Sequence, residues 1–184
     1  MPRSKNLVKK SELNQKRLSP DFKYNDLSIT KFINMMMQDG KKWACEKIFY
    51  TSIEFAYKKF IESTSTMDEE RLKKLTIQSA SSVSDFFSQI MSVVEPSIEL
   101  KSMRISGSSY QVPSPVRPLR AKYLAMSWII SGARSRKGRS MIDNLTNEFS
   151  DIAHGKGSAM EKKSTMHKNV ESNRAFAHFA SAGR

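Results

Sequence analysis

Apolar residues recur at helical spacing along most of this chain, and the spacing gives way to strand-like alternation in one stretch. Ile29, Phe32, Ile33 and Met36 stand at i, i+3, i+4 and i+7, which is one face of an α-helix. They predict a helix over 27–38, with Gly40 as its stop. Cys45, Ile48, Phe49, Ala56 and Phe60 predict a second over 43–61, broken by Ser63-Thr64-Ser65-Thr66. Thr66 and Glu69 have capping-box spacing for a third, which carries Val83, Phe86, Phe87, Ile90, Met91 and Val94 and ends at Pro96. The charged stretch 68–76 reads as an insertion that extends this helix outward. A fourth helix carries Leu119, Tyr123, Met126, Ile130 and Ala133. Ser140 with Asp143 caps a fifth, with Ile142, Leu145, Phe149 and Ile152. Ser158 with Glu161 caps a sixth, with Ala159, Met166 and Val170.

The exception lies between the third and fourth helices. Ile98, Leu100 and Ser102 alternate with Glu99, Lys101, Met103 and Ile105, Ser106-Gly107-Ser108-Ser109 is a turn, and Tyr110-Gln111-Val112 returns. This is a hairpin at 98–116. Pro113, Pro115 and Pro118 exclude a central ladder position, and a lone two-stranded ribbon is marginal in water, so it leans on helices or on a partner. The expected fold is mainly α: a bundle of about six helices with a projecting β-hairpin. Residues 1–24 read as a basic arm, 25–179 as a single helical domain and 180–184 as a short tail.

Charge says what such a fold meets. The chain of 184 residues has a formal net charge of +13, and a surface so positive attracts polyanions. The excess is local. Residues 32–100 hold 8 basic and 10 acidic side chains, whereas 101–139 hold 9 basic and none acidic. Those nine are Lys101, Arg104, Arg117, Arg120, Lys122, Arg134, Arg136, Lys137 and Arg139. Ordinary surfaces intersperse both signs, so the counter-charge expected here is an external nucleic acid. No apolar run approaches a membrane span, and Met1–Lys10 is basic without the apolar stretch of a secretory signal.

Catalytic and metal-binding patterns are missing. His154, His167 and His178 are too far apart for a zinc motif and have only Cys45 to assist them. No phosphate-binding Gly-x-x-x-x-Gly-Lys-Ser/Thr loop is present. Gly155-Lys156-Gly157-Ser158 opens a helix whose free N–H groups suit a phosphate, although a plain turn and cap explains it as well. No cofactor and no small-molecule substrate is expected. Cys45 and most of the eleven methionines read as core.

At the hairpin the sequence becomes specific. Ser106-Gly107-Ser108-Ser109-Tyr110-Gln111-Val112-Pro113, then Val116-Arg117-Pro118 and Arg120, resembles the signature of the seventh protein of the small ribosomal subunit. The likeness extends to Asp39-Gly40-Lys41-Lys42, to Ala125-Met126 with Trp128-Ile129, and to Met141, Leu145, Glu148, Ser150-Asp151 and Ala153. It ends with Gly157, Ala159, Lys162-Lys163, His167 and Asn173-Arg174-Ala175-Phe176-Ala177-His178. It covers roughly 20–179. The chain departs from the family at Ser106, where a second glycine is usual, in a longer 63–76 segment, and in a tail without the aromatic ending of bacterial members.

The resemblance implies a structural protein that binds the 3′ major domain of small-subunit rRNA early and nucleates assembly of the head. Its hairpin, with Lys101, Arg104, Gly107 and Tyr110, then reaches toward exit-site tRNA and the mRNA path and meets a platform protein. Tyr110 either stacks on a base or packs on its own ribbon. Lys41, Lys42, Arg117 and Arg120 are the implied rRNA phosphate ligands; Lys9, Lys10, Lys16 and Arg17 of the arm match in character. Lys122, Arg134, Arg136, Lys137 and Arg139 join them as rRNA-binding residues of the acid-free segment. The insertion, the tail and a Lys/Asn/Ser/Ile-rich composition favour a mitochondrial ribosome, with a plastid or bacterial one as the alternative.

Overall fold

The helical periodicity resolves into six α-helices and a hairpin in a computed structural model that describes residues 18–65, 76–77, 80–105 and 107–179. Two compact units emerge, one reaching to Lys47 and the other beginning at Ile48.

In the first unit, Asp21 folds the chain back by accepting from the backbone N–H groups of Lys23 and Tyr24, at 3.1 Å each. Helix α1, Leu27–Met36, starts at Asp26, whose carboxylate accepts from the Ser28 N–H at 2.7 Å. That is N-capping by the residue type best suited to it. Ile29, Phe32, Ile33 and Met36 are buried as their spacing predicts. The helix ends before Gly40, because Met37 leaves helical geometry while its N–H still bonds to Ile33. Asp39 and Gly40, at φ 52° and 71°, instead form the left-handed turn that presents Lys41 and Lys42.

Helix α2, Lys42–Ser65, continues into the expected break as far as Ser65. Ser63 and Thr64 donate to the Phe60 carbonyl and Ser65 to that of Glu62, so the hydroxyls join the last turn instead of competing with it. In the second unit, Phe49, Ile53, Ala56 and Phe60 of α2 are buried. Helix α3, Val83–Val94, is capped by Ser82, whose hydroxyl accepts from the Asp85 N–H at 3.1 Å. The cap expected at Thr66 and Glu69 lies outside the described residues, as does most of the 63–76 segment. Strands β1, Ile98–Ile105, and β2, Ser108–Pro115, pair antiparallel with Lys101 opposite Val112 and Met103 opposite Tyr110. Helices α4 (Pro118–Ser135), α5 (Met141–Ala153) and α6 (Ser158–Ser172) complete the unit, followed by a 3-10 turn at Arg174–Phe176.

Phe49, Phe87 and Phe149 meet edge to face at 5.4 to 6.3 Å between ring centres, tying α2, α3 and α5 into one core. Helix α4 packs on both α5 and α6, and the hairpin leans on α6 and the 3-10 turn. The ribbon therefore has the helical support that its size demands.

Candidate nucleic-acid interface

The hairpin presents two cations in two directions. Side chains alternate across a strand, so Lys101 and Arg104 stand on opposite faces of the ribbon. Lys101 lies 3.7 Å from Glu99. Arg104 is exposed and makes no ion pair among the described residues. Gly107 closes the turn at φ 89°, a conformation that glycine adopts without steric cost. Tyr110 faces neither solvent alone nor only its own strand: its ring centre is 5.3 Å from that of Phe176 and 5.8 Å from that of Phe179. The end of the described chain thus braces the hairpin.

Helix α4 begins with a second basic group. Pro118 at its first position starts the helix without needing an N–H. Arg117, Arg120 and Lys122 are exposed. Arg120 lies 3.4 Å from Glu99 and over the Tyr123 ring at 5.3 Å. A third group sits in the α4–α5 turn, where Lys137 and Arg139 flank Gly138 and are exposed, as is Arg134. Lys41 and Lys42 are exposed in the first unit, within 4.0 Å of Asp39 and 3.4 Å of Glu46 respectively. Such surface pairs are weak and leave the ammonium groups available to phosphates. Lys9, Lys10, Lys16 and Arg17 lie outside the described residues.

Arg136 is different. Its Nε and Nη2 donate to Glu148 Oε2 at 3.1 and 2.6 Å, and Nη2 also donates to Asp151 at 2.6 Å. Burial lowers its pKa, but the hydrogen bonds it donates to Asp151 and Glu148 outweigh that and hold it above its ordinary value. The Glu148 side chain has no solvent exposure. Its other oxygen accepts from the Ala159 N–H at 2.9 Å, at the start of α6. A negative charge at a helix N-terminus is favourable, so this carboxylate does what the Ser158–Glu161 box is expected to do. The actual N-cap is Gly157, at φ 99° and without a side-chain bond. Of the two readings of Gly155–Ser158, the turn and cap holds: a phosphate there would meet an N-terminus already occupied by an internal anion.

Two glycines make room for it. A Cβ on Gly132 would lie 2.7 Å from Glu148 Oε1, and one on Gly157 would lie 3.3 Å from it. Asn144 adds a bond from its amide to the Arg136 carbonyl at 2.9 Å. One carboxylate thereby fixes the end of α4, the basic turn, α5 and the start of α6. Sequence reading missed it, although Leu145, Glu148, Phe149 and Ile152 fall at i, i+3, i+4 and i+7, which places an acid inside an apolar stripe. The bases of α6 are also partly committed. Lys162 donates to Ser131 at 2.6 Å, and Lys163 donates to the Val93 carbonyl at the end of α3. Burial lowers the pKa of Lys163.

Among the described residues, no cluster of histidine, cysteine and acidic groups suits a metal ion, and no helix is long and apolar enough to cross a membrane. The arrangement is a set of outward cations on a carboxylate-locked frame.

Comparison with known proteins agrees with the hairpin signature. The family model described as ribosomal protein S7p/S5e matches residues 8–174. The small ribosomal subunit protein uS7 of Dichelobacter nodosus (strain VCS1703A) is 38% identical over 164 residues, covering 89% of this chain and 93% of the relative.

Proposed function

The chain belongs to the ribosomal protein S7p/S5e family, whose members are structural and not enzymes, and from that premise we propose how it serves in the small subunit. As a small-subunit ribosomal protein that binds rRNA, it is a primary ligand of the 3′ major domain and nucleates assembly of the head. Its hairpin lines the tRNA exit site and the mRNA exit path, next to head and platform proteins. The observation that most supports this reading is the row of exposed cations without ion pairs among the described residues: Arg104 on the hairpin, Arg117 and Lys122 on α4, Lys137 and Arg139 after it. A-form RNA hides its bases in a deep, narrow groove. A folded junction must then be recognised through phosphates, 2′-hydroxyls and unstacked bases. Arginine's planar fork gives two parallel bonds to a phosphate, and a two-stranded ribbon is slim enough to enter between RNA helices.

Binding to a 3′-domain rRNA fragment, across a salt series and against scrambled RNA and duplex DNA, tests the reading. Six to ten phosphate contacts lower affinity by roughly 10³–10⁵ between 50 and 200 mM salt. The rRNA should keep its advantage over both competitors at high salt. Equal binding to all three would make the chain a non-specific packaging protein.

The ribosome we favour is mitochondrial, on the strength of the Lys/Asn/Ser/Ile-rich composition and the long 63–76 segment; plastids and the bacterial cytoplasm are the alternatives. Co-sedimentation with small subunits from isolated mitochondria is the expected result. Recovery only with plastid or cytosolic subunits would reassign it.

A further inference from the structure

A cleft of about 510 Å³ opens where the foot of the hairpin, α4 and α6 converge. That volume lies within the range of small-molecule sites. Leu100, Trp128 and Met166 give it an apolar wall, and Ser158, Glu161, Lys162, Thr165 and Asn169 line the rest. On α6 these form two stripes at i, i+4 and i+8, 158/162/166 and 161/165/169. Lys162 is bound to Ser131. The carboxylate of Glu161, the hydroxyl of Thr165 and the amide of Asn169 make no hydrogen bond or ion pair among the described residues. The cleft thus holds a half-exposed indole and polar groups with unused bonding capacity.

We propose that this cleft receives one unpaired guanine of the bound rRNA, stacked on Trp128 and held by Glu161. The proposal rests on the rRNA-binding reading above and names the part of the RNA that the cations do not explain. Unpaired bases are recognised by stacking on aromatic side chains and by hydrogen bonds to their edges. Glu161 offsets the charge of Lys162 in the cleft, so the cleft does not favour phosphate as the outward cations do, and its apolar wall suits a base. An ionised carboxylate accepts and never donates. Guanine alone offers two adjacent donors on its pairing edge, the ring N–H and the exocyclic amino group, which match the two carboxylate oxygens. Arg104 stands on the same ribbon face as Leu100, about 13 Å farther along the strand, where it can hold the phosphates of the neighbouring nucleotides.

The full chain with Trp43→Phe retains only Trp128, since there are two tryptophans in all. Adding the 3′-domain rRNA fragment should quench its fluorescence. Probing the complex with kethoxal, which attacks unpaired guanines at that same edge, should show one protected guanine that becomes reactive again with Glu161→Gln. That variant should bind roughly 5- to 150-fold more weakly. Glu161 is exposed, so folding is not at stake. Tight rRNA binding without quenching, or with a protection pattern unchanged by Glu161→Gln, overturns the cleft and leaves the rRNA reading standing. Quenching that comes only from purified small-subunit proteins also overturns it, by making the cleft a protein site. Loss of selective rRNA binding in the parent chain removes the rRNA reading, and the cleft proposal with it.

Discussion

Arg104 and Arg136 belong to the same acid-free stretch and are chemically identical, yet the fold uses them in opposite ways. Arg104 stands exposed on the hairpin without an ion pair among the described residues. Arg136 turns inward and divides its fork between Glu148 and Asp151. The difference teaches that a count of charges along a sequence does not locate their counter-charges. The nine bases of 101–139 find some partners outside that stretch: Glu99 for Lys101 and Arg120, Glu148 and Asp151 for Arg136. What remains for an external anion is smaller than the composition suggests and more definite in position.

The sharpest way to break this comparison is to remove the inward partner. Glu148→Ala should cost about 2–4 kcal/mol in urea unfolding, less than a fully buried pair because Arg136 keeps Asp151. It strips Arg136 of one acceptor and the Ala159 N–H of its only side-chain partner. A loss under half a kcal/mol would mean that the lock is ornamental. Gly132→Ala attacks the same site from the other side. Its Cβ would meet Glu148 Oε1 at 2.7 Å, and overpacking of this kind costs about 1–3 kcal/mol. An unchanged melting midpoint would show that the carboxylate moves aside freely.

The outward side answers to a different assay. Lys101→Glu with Arg104→Glu should leave urea unfolding unchanged to within about 0.5 kcal/mol. The pair should weaken rRNA binding by about ten-fold and flatten the salt slope by nearly 2 on the duplex-DNA scale. Arg136→Met should do the reverse, lowering stability and leaving the slope alone. If Arg136→Met flattens the slope instead, the guanidinium reaches RNA and the inward–outward division fails.

The smallest expected effect concerns the acid in the first turn of α3. Asp85 caps α3 by accepting from the Ser81 N–H and from Gln89, which lowers its pKa below the usual 3.8. A lowered carboxylate stabilises the fold above its unfolded value and stops doing so as pH falls through its folded one. Asp85→Asn should therefore remove part of the acid-side loss of stability below about pH 3.8. Superimposable acid limbs for parent and variant would show that the cap carries no charge dependence.

Much of this was legible beforehand, because long apolar stripes override local detail. The stripe through Leu145, Phe149 and Ile152 placed its helix without help. That through Phe86, Phe87, Ile90 and Met91 placed the body of its helix but not its start, which falls at Ser82 and not at Thr66. Errors fell where several polar residues compete to end a helix. Ser63, Thr64 and Ser65 look like a break and instead bond back into the helix. Ser158 looks like a cap and is displaced by an acid from another helix. No local pattern reports a capping group that arrives from eleven residues upstream and another element. The hairpin was legible in the alternation over 98–105 and the turn that follows it. The commitment of Arg136, Lys162 and Lys163 was not, since each partner is distant in sequence.

The aromatic brace has a consequence for the order of events during synthesis. Tyr110 rests on Phe176 and Phe179, which leave the ribosome long after it, behind three further helices. At about 5–20 residues per second, the hairpin is made some seconds before the rings that hold it. For that interval the ribbon is a finished element without its final bearing. A nascent chain can settle much of its helical frame early, then, but its hairpin is braced only once Phe176 and Phe179 have emerged. Emergence of those two rings, later than that of the strands themselves, completes the support of the ribbon.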